Sequence, residues 1–407
     1  MSRVGLVALL SLVCAAYAAE ASAALVALPE QPAGLPWPRA DWPVGPVPAQ
    51  TDAAALQAAM KDAFEQGIPA LGETRQVVII QGGRLVYERY APEFGRDMRL
   101  ISWSMAKSVT QALVGAAVLQ GLVDIDQPMG NPLWAPDDPR ARIPWRNWLQ
   151  MTDGLRYFEI GAPMERSDAA RKLFGPGRLN VARYCAGLPL IHAPGTVWNY
   201  DSCGFVLLSD ALTRAVVPHP ASPEARRDAM LKWMRASLFD VLGMEVQPEF
   251  DAKGLYYGSS MIYGTARDFA RLGLLYLRDG VWDGRRVLPE GWVDFARTPA
   301  AGANEDIYGA GWWLNPQQGR GRPLPVLIET GRERDAFRAQ GFLGQVIMDI
   351  PSKDLVVVRL GLTPDADRGW AAVGDWLGRV ARAFPEVPHD PVTASAGAEA
   401  RRSANVR

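Results

Sequence analysis

Hydrophobic and polar positions change period several times along this chain, and each change marks an element. From Thr51 the apolar residues Leu56, Met60, Ala63 and Phe64 fall on one face at helical spacing, and Gly67 closes the run. Val77-Val78-Ile79-Ile80, then Gly82-Gly83, then Leu85-Val86-Tyr87 reads as a β-hairpin. A similar pair comes late: Gln345 to Ile350, a Pro351-Ser352-Lys353-Asp354 turn, and Leu355 to Leu360. Trp370, Val373, Trp376, Leu377 and Val380 then recur with helical spacing up to Phe384. Between the hairpins the pattern is mostly helical and loop-rich. Thr265-Ala266-Arg267-Asp268 has the form of a capped helix start, whose run ends at Gly280. The expected architecture is a mixed sheet built from both chain ends, with a helical insertion over about 105–300.

The ends read differently. Arg3 precedes a mainly apolar run from Val4 to Val13, and small residues follow at Ala16-Tyr17-Ala18 and Ala21-Ser22-Ala23. This is the form of a cleaved signal peptide over 1–23, too short to span a bilayer comfortably. A periplasmic or secreted protein with no stable membrane anchor after cleavage is expected. Residues 24–50 are rich in Pro and Trp, which rules out a helix and favours a strap over a core. The main domain is expected over 51–384, and the polar stretch 385–407 as a disordered tail.

With 48% hydrophobic and 21% charged residues among 407, the composition suits a globular protein with a sizeable core. A net charge of -1 without long runs of one sign offers nucleic acid no electrostatic footprint. An exported chain retains Cys185 and Cys203, which an oxidising compartment would let pair. The alternative is two small buried apolar side chains.

The chemistry concentrates at Trp103-Ser104-Met105-Ala106-Lys107, ahead of an apolar helical run from Val109 to Leu119. Residues three apart share a helix face, so the Ser104 hydroxyl and the Lys107 amine can meet. A serine needs a base to become a nucleophile, and a lysine is one only when burial lowers its pKa. Of the basic side chains, histidine apart, only six are lysine, and one of them stands in this apolar helix. Arginine could not shed a proton there, whereas lysine can. Tyr200-Asp201-Ser202 is the second constellation. It follows a turn-rich approach and precedes an apolar helix, and a neighbouring ammonium would lower the Tyr200 pKa and permit a proton relay. Ser202 would add a hydrogen bond and is a candidate substrate-binding residue. The three histidines lie in loops or the tail, and no G-x-S-x-G elbow, zinc pattern, P-loop or dinucleotide fingerprint occurs. No metal or organic cofactor is expected.

Ser104-x-x-Lys107 followed by Tyr200-x-Ser202 resembles the penicillin-recognising serine hydrolases: class C β-lactamases, D-alanyl-D-alanine carboxypeptidases and related esterases. That family more often has Asn where Ser202 stands. Arg142 to Leu155 resembles a segment typical of it, and Gly258 to Asp268 and Tyr308 to Trp313 resemble the branch containing 6-aminohexanoate-dimer hydrolases. The resemblance implies an α+β, β-lactamase/transpeptidase-like fold: an antiparallel sheet flanked by helices plus a mainly helical lobe, with the site between them. The family's K-T-G or H-x-G strand element has its expected counterpart at Phe342-Leu343-Gly344. The glycine would let that strand approach substrate, while Phe342 replaces the cation. The resemblance also makes the Ser104 and Gln345 amides the oxyanion hole. It implies hydrolysis of a small amide or ester through an acyl-Ser104 intermediate. The alternatives are a β-lactamase or D-alanyl peptidase, and a non-catalytic binding protein on the same fold. Trp103, Trp134, Trp198, Trp312 and Trp313 are candidates to line an apolar cleft.

Overall fold

A computed structural model describes residues 25–65, 67–159, 166–304, 306–315, 334–364 and 368–387. The expected signal peptide and residues 388–407 of the expected tail lie outside them.

One six-stranded sheet organises the molecule. Its strands are β1 (Glu73–Gln81), β2 (Arg84–Tyr90), β3 (Trp313–Leu314), β4 (Phe337–Gly341), β5 (Gln345–Ile350) and β6 (Leu355–Leu362), ordered β2-β1-β6-β5-β4-β3. Every pairing is antiparallel, so the sheet is not mixed as the pattern had implied. Val77 and Ile79 of β1 enter one core while Val78 and Ile80 enter the other. Burial on both faces explains why this strand reads as a continuous apolar run.

The outer face carries helices α1 (Ala53–Phe64) and α6 (Arg368–Ala383), where the Trp376 indole donates to the Ala59 carbonyl at 2.9 Å. The α1 cap is Asp52 rather than Thr51, its carboxylate accepting from the Ala55 amide. The inner face packs against α5 (Ala266–Leu277), which opens with a Thr265/Asp268 capping box, and beyond it the helical lobe. That lobe contains α2 (Ala106–Leu119), α3 (Asp168–Leu173) and α4 (Ser202–Val216). Residues 106–117 of α2 are all buried, so an apolar helix without a polar face is what the position requires.

Trp42 of the N-terminal segment is buried in the inner core, and Arg271 of α5 donates to the Pro38 carbonyl at 2.8 Å. The polypeptide does not leave the fold at 385: Gln81 donates to the Pro385 carbonyl and the Val387 amide to that of Ser352. Pro385 and Val387, expected in a disordered tail, are instead bonded to the fold.

Candidate active site

Ser104 lies in a single 3-10 turn, Trp103–Met105, leading directly into α2. Trp103 before it has φ 44°, a left-handed conformation that costs a bulky residue of order 1–3 kcal/mol and is typically retained at functional sites. Lys107 is 1% exposed. Its Nζ lies 2.9 Å from Ser104 Oγ, 2.8 Å from Ser202 Oγ and 2.9 Å from the Ser259 carbonyl oxygen. It also stands 4.8 Å from the centre of the Tyr200 ring. Burial lowers the Lys107 pKa to about 7; Glu159 and Asp201 oppose that shift, and Lys172 adds to it.

As an ammonium, Lys107 donates to Ser104, Ser202 and Ser259; once it is neutral, the acceptors around it decide where its lone pair points. The Ser259 carbonyl can only accept. Ser202 donates its proton to Glu159 Oε1 at 2.8 Å, so towards Lys107 it too must accept. A neutral amine has two N–H groups and one lone pair. With both N–H groups committed to Ser202 and Ser259, the lone pair is left for Ser104.

Tyr200 comes from the loop ahead of α4, and its phenol reaches the Ser104 hydroxyl. Its pKa moves the opposite way from the sequence expectation. Burial raises it, the Glu159 charge raises it further, and the bond to Ser104 offsets only part. Tyr200 is therefore a protonated phenol that can donate, not a phenolate base.

The β-lactamase family pattern matches residues 53–245. The 6-aminohexanoate-dimer hydrolase of Paenarthrobacter ureafaciens is 24% identical over 336 residues, covering 73% of this chain and 75% of that one. A Bacillus anthracis structure provisionally described as a 6-aminohexanoate-dimer hydrolase superposes with a TM-score of 0.63 at 18% identity, covering 89% of this chain and 92% of the other. A β-lactamase from Mycobacterium bovis gives 0.56 at 16% identity, covering 80% of this chain and all (100%) of that one. The chain resembles the β-lactamase family over residues 53–245. It is also similar to 6-aminohexanoate-dimer hydrolases, and its fold is the β-lactamase/transpeptidase-like one.

The strand beside the nucleophile is β4, one strand earlier than the expected element. A Cβ on Gly341 would lie 2.1 Å from the Ser102 carbonyl oxygen, so this glycine makes the close approach. Gly344 does not: the space at its missing side chain is bounded by Thr363 and Arg359. Gln345 starts β5, opposite Gly341, and its carboxamide is spent on the Phe342, Leu343 and Gly361 carbonyls. Those bonds engage its side chain and leave the oxyanion role that resemblance gives the Gln345 amide as a proposal. Ser202 is also corrected: at 1% exposed and bonded on both sides, it is a relay and not a substrate contact.

Phe342 is 41% exposed, and its ring meets Trp103 edge-on at 5.7 Å; Phe174 meets Trp103 at 6.5 Å. On the Tyr200 side, Trp313 stacks on the phenol ring at 5.1 Å, with Trp198 and Tyr308 packed behind. Two aromatic walls thus flank Ser104. Trp134 and Trp312 are instead core residues, stacked on Trp148 and packed on Tyr276.

Three contributors escaped the sequence reading: Glu159, Lys172 and Ser259. Glu159 sits in a loop with no motif around it. Lys172 on α3 is fully buried and donates to Ser259 Oγ at 2.8 Å. Burial lowers its pKa to about 8, against the pull of Glu159 and Asp201. The preference for lysine in an arginine-rich chain, which singled out Lys107, applied to Lys172 as well. Cys185 and Cys203 are bridged, which ties the start of α4 to the short helix before it. Among the described residues no cluster of His, Cys, Asp or Glu could hold a metal ion.

Proposed function

We propose that this protein hydrolyses small amides or esters in two steps through an acyl-Ser104 intermediate. Ser104 Oγ attacks the carbonyl carbon and gives its proton to the Lys107 lone pair. Tyr200 protonates the departing amine or alkoxide as the tetrahedral adduct collapses. Water then attacks the acyl-serine and gives one proton to the Tyr200 oxygen, Lys107 returns its proton to the departing Ser104 oxygen, and the product acid leaves with water's oxygen and second proton. Amides at the start of α2 favour the oxyanion, where the helix dipole is positive. The single observation carrying this reading is the Lys107 nitrogen 2.9 Å from Ser104 Oγ with its other two positions committed.

A neutral, apolar acyl group is favoured over a carboxylate-bearing β-lactam or peptide. Phe337 and Ala339 of β4 enter the inner core, so this face of the strand offers the site Ala339, Gly341 and then Phe342, without a cation. Arg338 pairs with Met348, whose side chain belongs to the outer core. Mature enzyme should label at Ser104 with a fluorophosphonate and turn over p-nitrophenyl esters or linear amides faster than nitrocefin. Normal turnover by Ser104→Ala would end the hydrolase reading, and rapid nitrocefin hydrolysis would favour a β-lactamase.

We also propose export to an oxidising compartment, supported by the Cys185–Cys203 bridge and by the form of residues 1–23. Mass spectrometry of the mature N-terminus in cells tests it.

A further inference from the structure

Lys107 is held between two charged side chains of opposite sign, each acting through a serine. On one side Ser202 Oγ accepts from Lys107 and donates to Glu159. On the other, Ser259 accepts from Lys107 with its carbonyl and from Lys172 with its hydroxyl. The Ser259 hydroxyl lies 2.8 Å from that of Ser260. Both serines are buried, at 1% and 0% exposed, so water does not intervene to screen either charge as it would at the surface.

We propose that Glu159 and Lys172 are an opposed pair of positioning residues that sets the pH at which Lys107 becomes the base for Ser104. This rests on the hydrolase reading above and adds to it the residues that tune the base. Glu159 does two things. Its acceptor fixes the Ser202 proton away from Lys107, which keeps the amine lone pair on Ser104. Its negative charge stabilises the ammonium form. Lys172 does the reverse: its ammonium repels a proton on Lys107, and it is still charged when Lys107 titrates because it holds its own proton to about 8. The strand beside the site brings no cation, so this positive charge enters from α3 instead.

Of the other charged groups near Lys107, Asp201 acts in the same sense as Glu159. Tyr200, Tyr157 and Tyr308 have their pKa values raised by burial and stay neutral. Asp201 caps α4, and burial and the neighbouring Asp153 raise its own pKa.

The test is the rate of Ser104 labelling by a fluorophosphonate against pH, for the wild type and for Glu159→Gln, Glu159→Asp and Lys172→Met. Glutamine keeps an acceptor for Ser202 and removes only the charge, so the acid limb should move down by about one pH unit. Aspartate should restore it towards the wild-type position. Methionine at 172 should move the limb up by about one unit. Loss of rate with an unmoved limb is what a merely structural role would give, and it overturns the proposal, as do shifts in the same direction. Thermal melts establish that each variant folds. If Lys172→Met does not fold, the Glu159→Gln limb decides alone and must move down. Absence of Ser104 labelling in the wild type overturns the hydrolase reading and this inference with it. Labelling with unmoved limbs overturns this inference only.

Discussion

Gly341 of β4 packs against the backbone of Ser102, two residues before the nucleophile, with only 2.1 Å between the Ser102 carbonyl oxygen and the place a Cβ would occupy. That contact couples the sheet to the turn that carries Ser104, so the separation of the two lobes at the site is set by a missing side chain. The nearest atom is a backbone oxygen, which cannot swing aside as a flexible side chain would. Gly341→Ala should therefore force strand and turn apart. A displacement near 1 Å at reacting atoms typically costs about 10²-fold in rate. Overpacking should lower stability by about 1–3 kcal/mol. Steady-state kinetics with a p-nitrophenyl ester and chemical denaturation read the two effects, and wild-type kinetics would show that the contact does not position Ser104.

Tyr200 is expected to act as an acid, because burial and Glu159 keep its proton on. Tyr200→Phe should slow amide hydrolysis by about 10²–10⁴-fold. The loss should shrink with p-nitrophenyl esters, whose leaving group departs without a proton. An equal loss on both substrate types would place Tyr200 in positioning the nucleophile instead.

Burial of Lys107 makes stability depend on pH. Its pKa is about 7 in the folded protein and about 10.4 in an unfolded chain, so the unfolded state binds more protons between those values. Folded-state stability then rises with pH across that window, and below about 7 the buried ammonium opposes folding in full. Lys107→Met removes this dependence. The wild type should gain about 4 kcal/mol relative to Lys107→Met between pH 6 and pH 10. Urea unfolding at the two pH values measures the difference, and a gap that does not change would show that Lys107 keeps an ordinary pKa.

Arg278, just past α5, makes two hydrogen bonds to Asp354 in the β5–β6 turn, at 2.6 and 3.0 Å, with both side chains buried. Removing one member strands the other charge, which costs about 3–5 kcal/mol. Asp354 also has φ 45°, a conformation asparagine tolerates better than alanine. Asp354→Ala should therefore destabilise more than Asp354→Asn, with both below the wild type in denaturant midpoint.

Sequence alone determined what is local. Ser104 and Lys107 share a helix face because three residues make most of a turn, and the two glycine- or proline-marked hairpins and the capped α5 follow from short-range backbone preferences. The register around β4 was not determined, because Gly341 and Gly344 both stand near the same turn and only packing shows which one touches Ser102. Glu159, Lys172 and Ser259 lie 55, 68 and 155 positions beyond Ser104 in the numbering, and no spacing rule connects them. The direction of the Tyr200 shift was likewise decided by tertiary structure, since a neighbouring cation and burial push a phenol in opposite directions and only the fold shows that burial prevails.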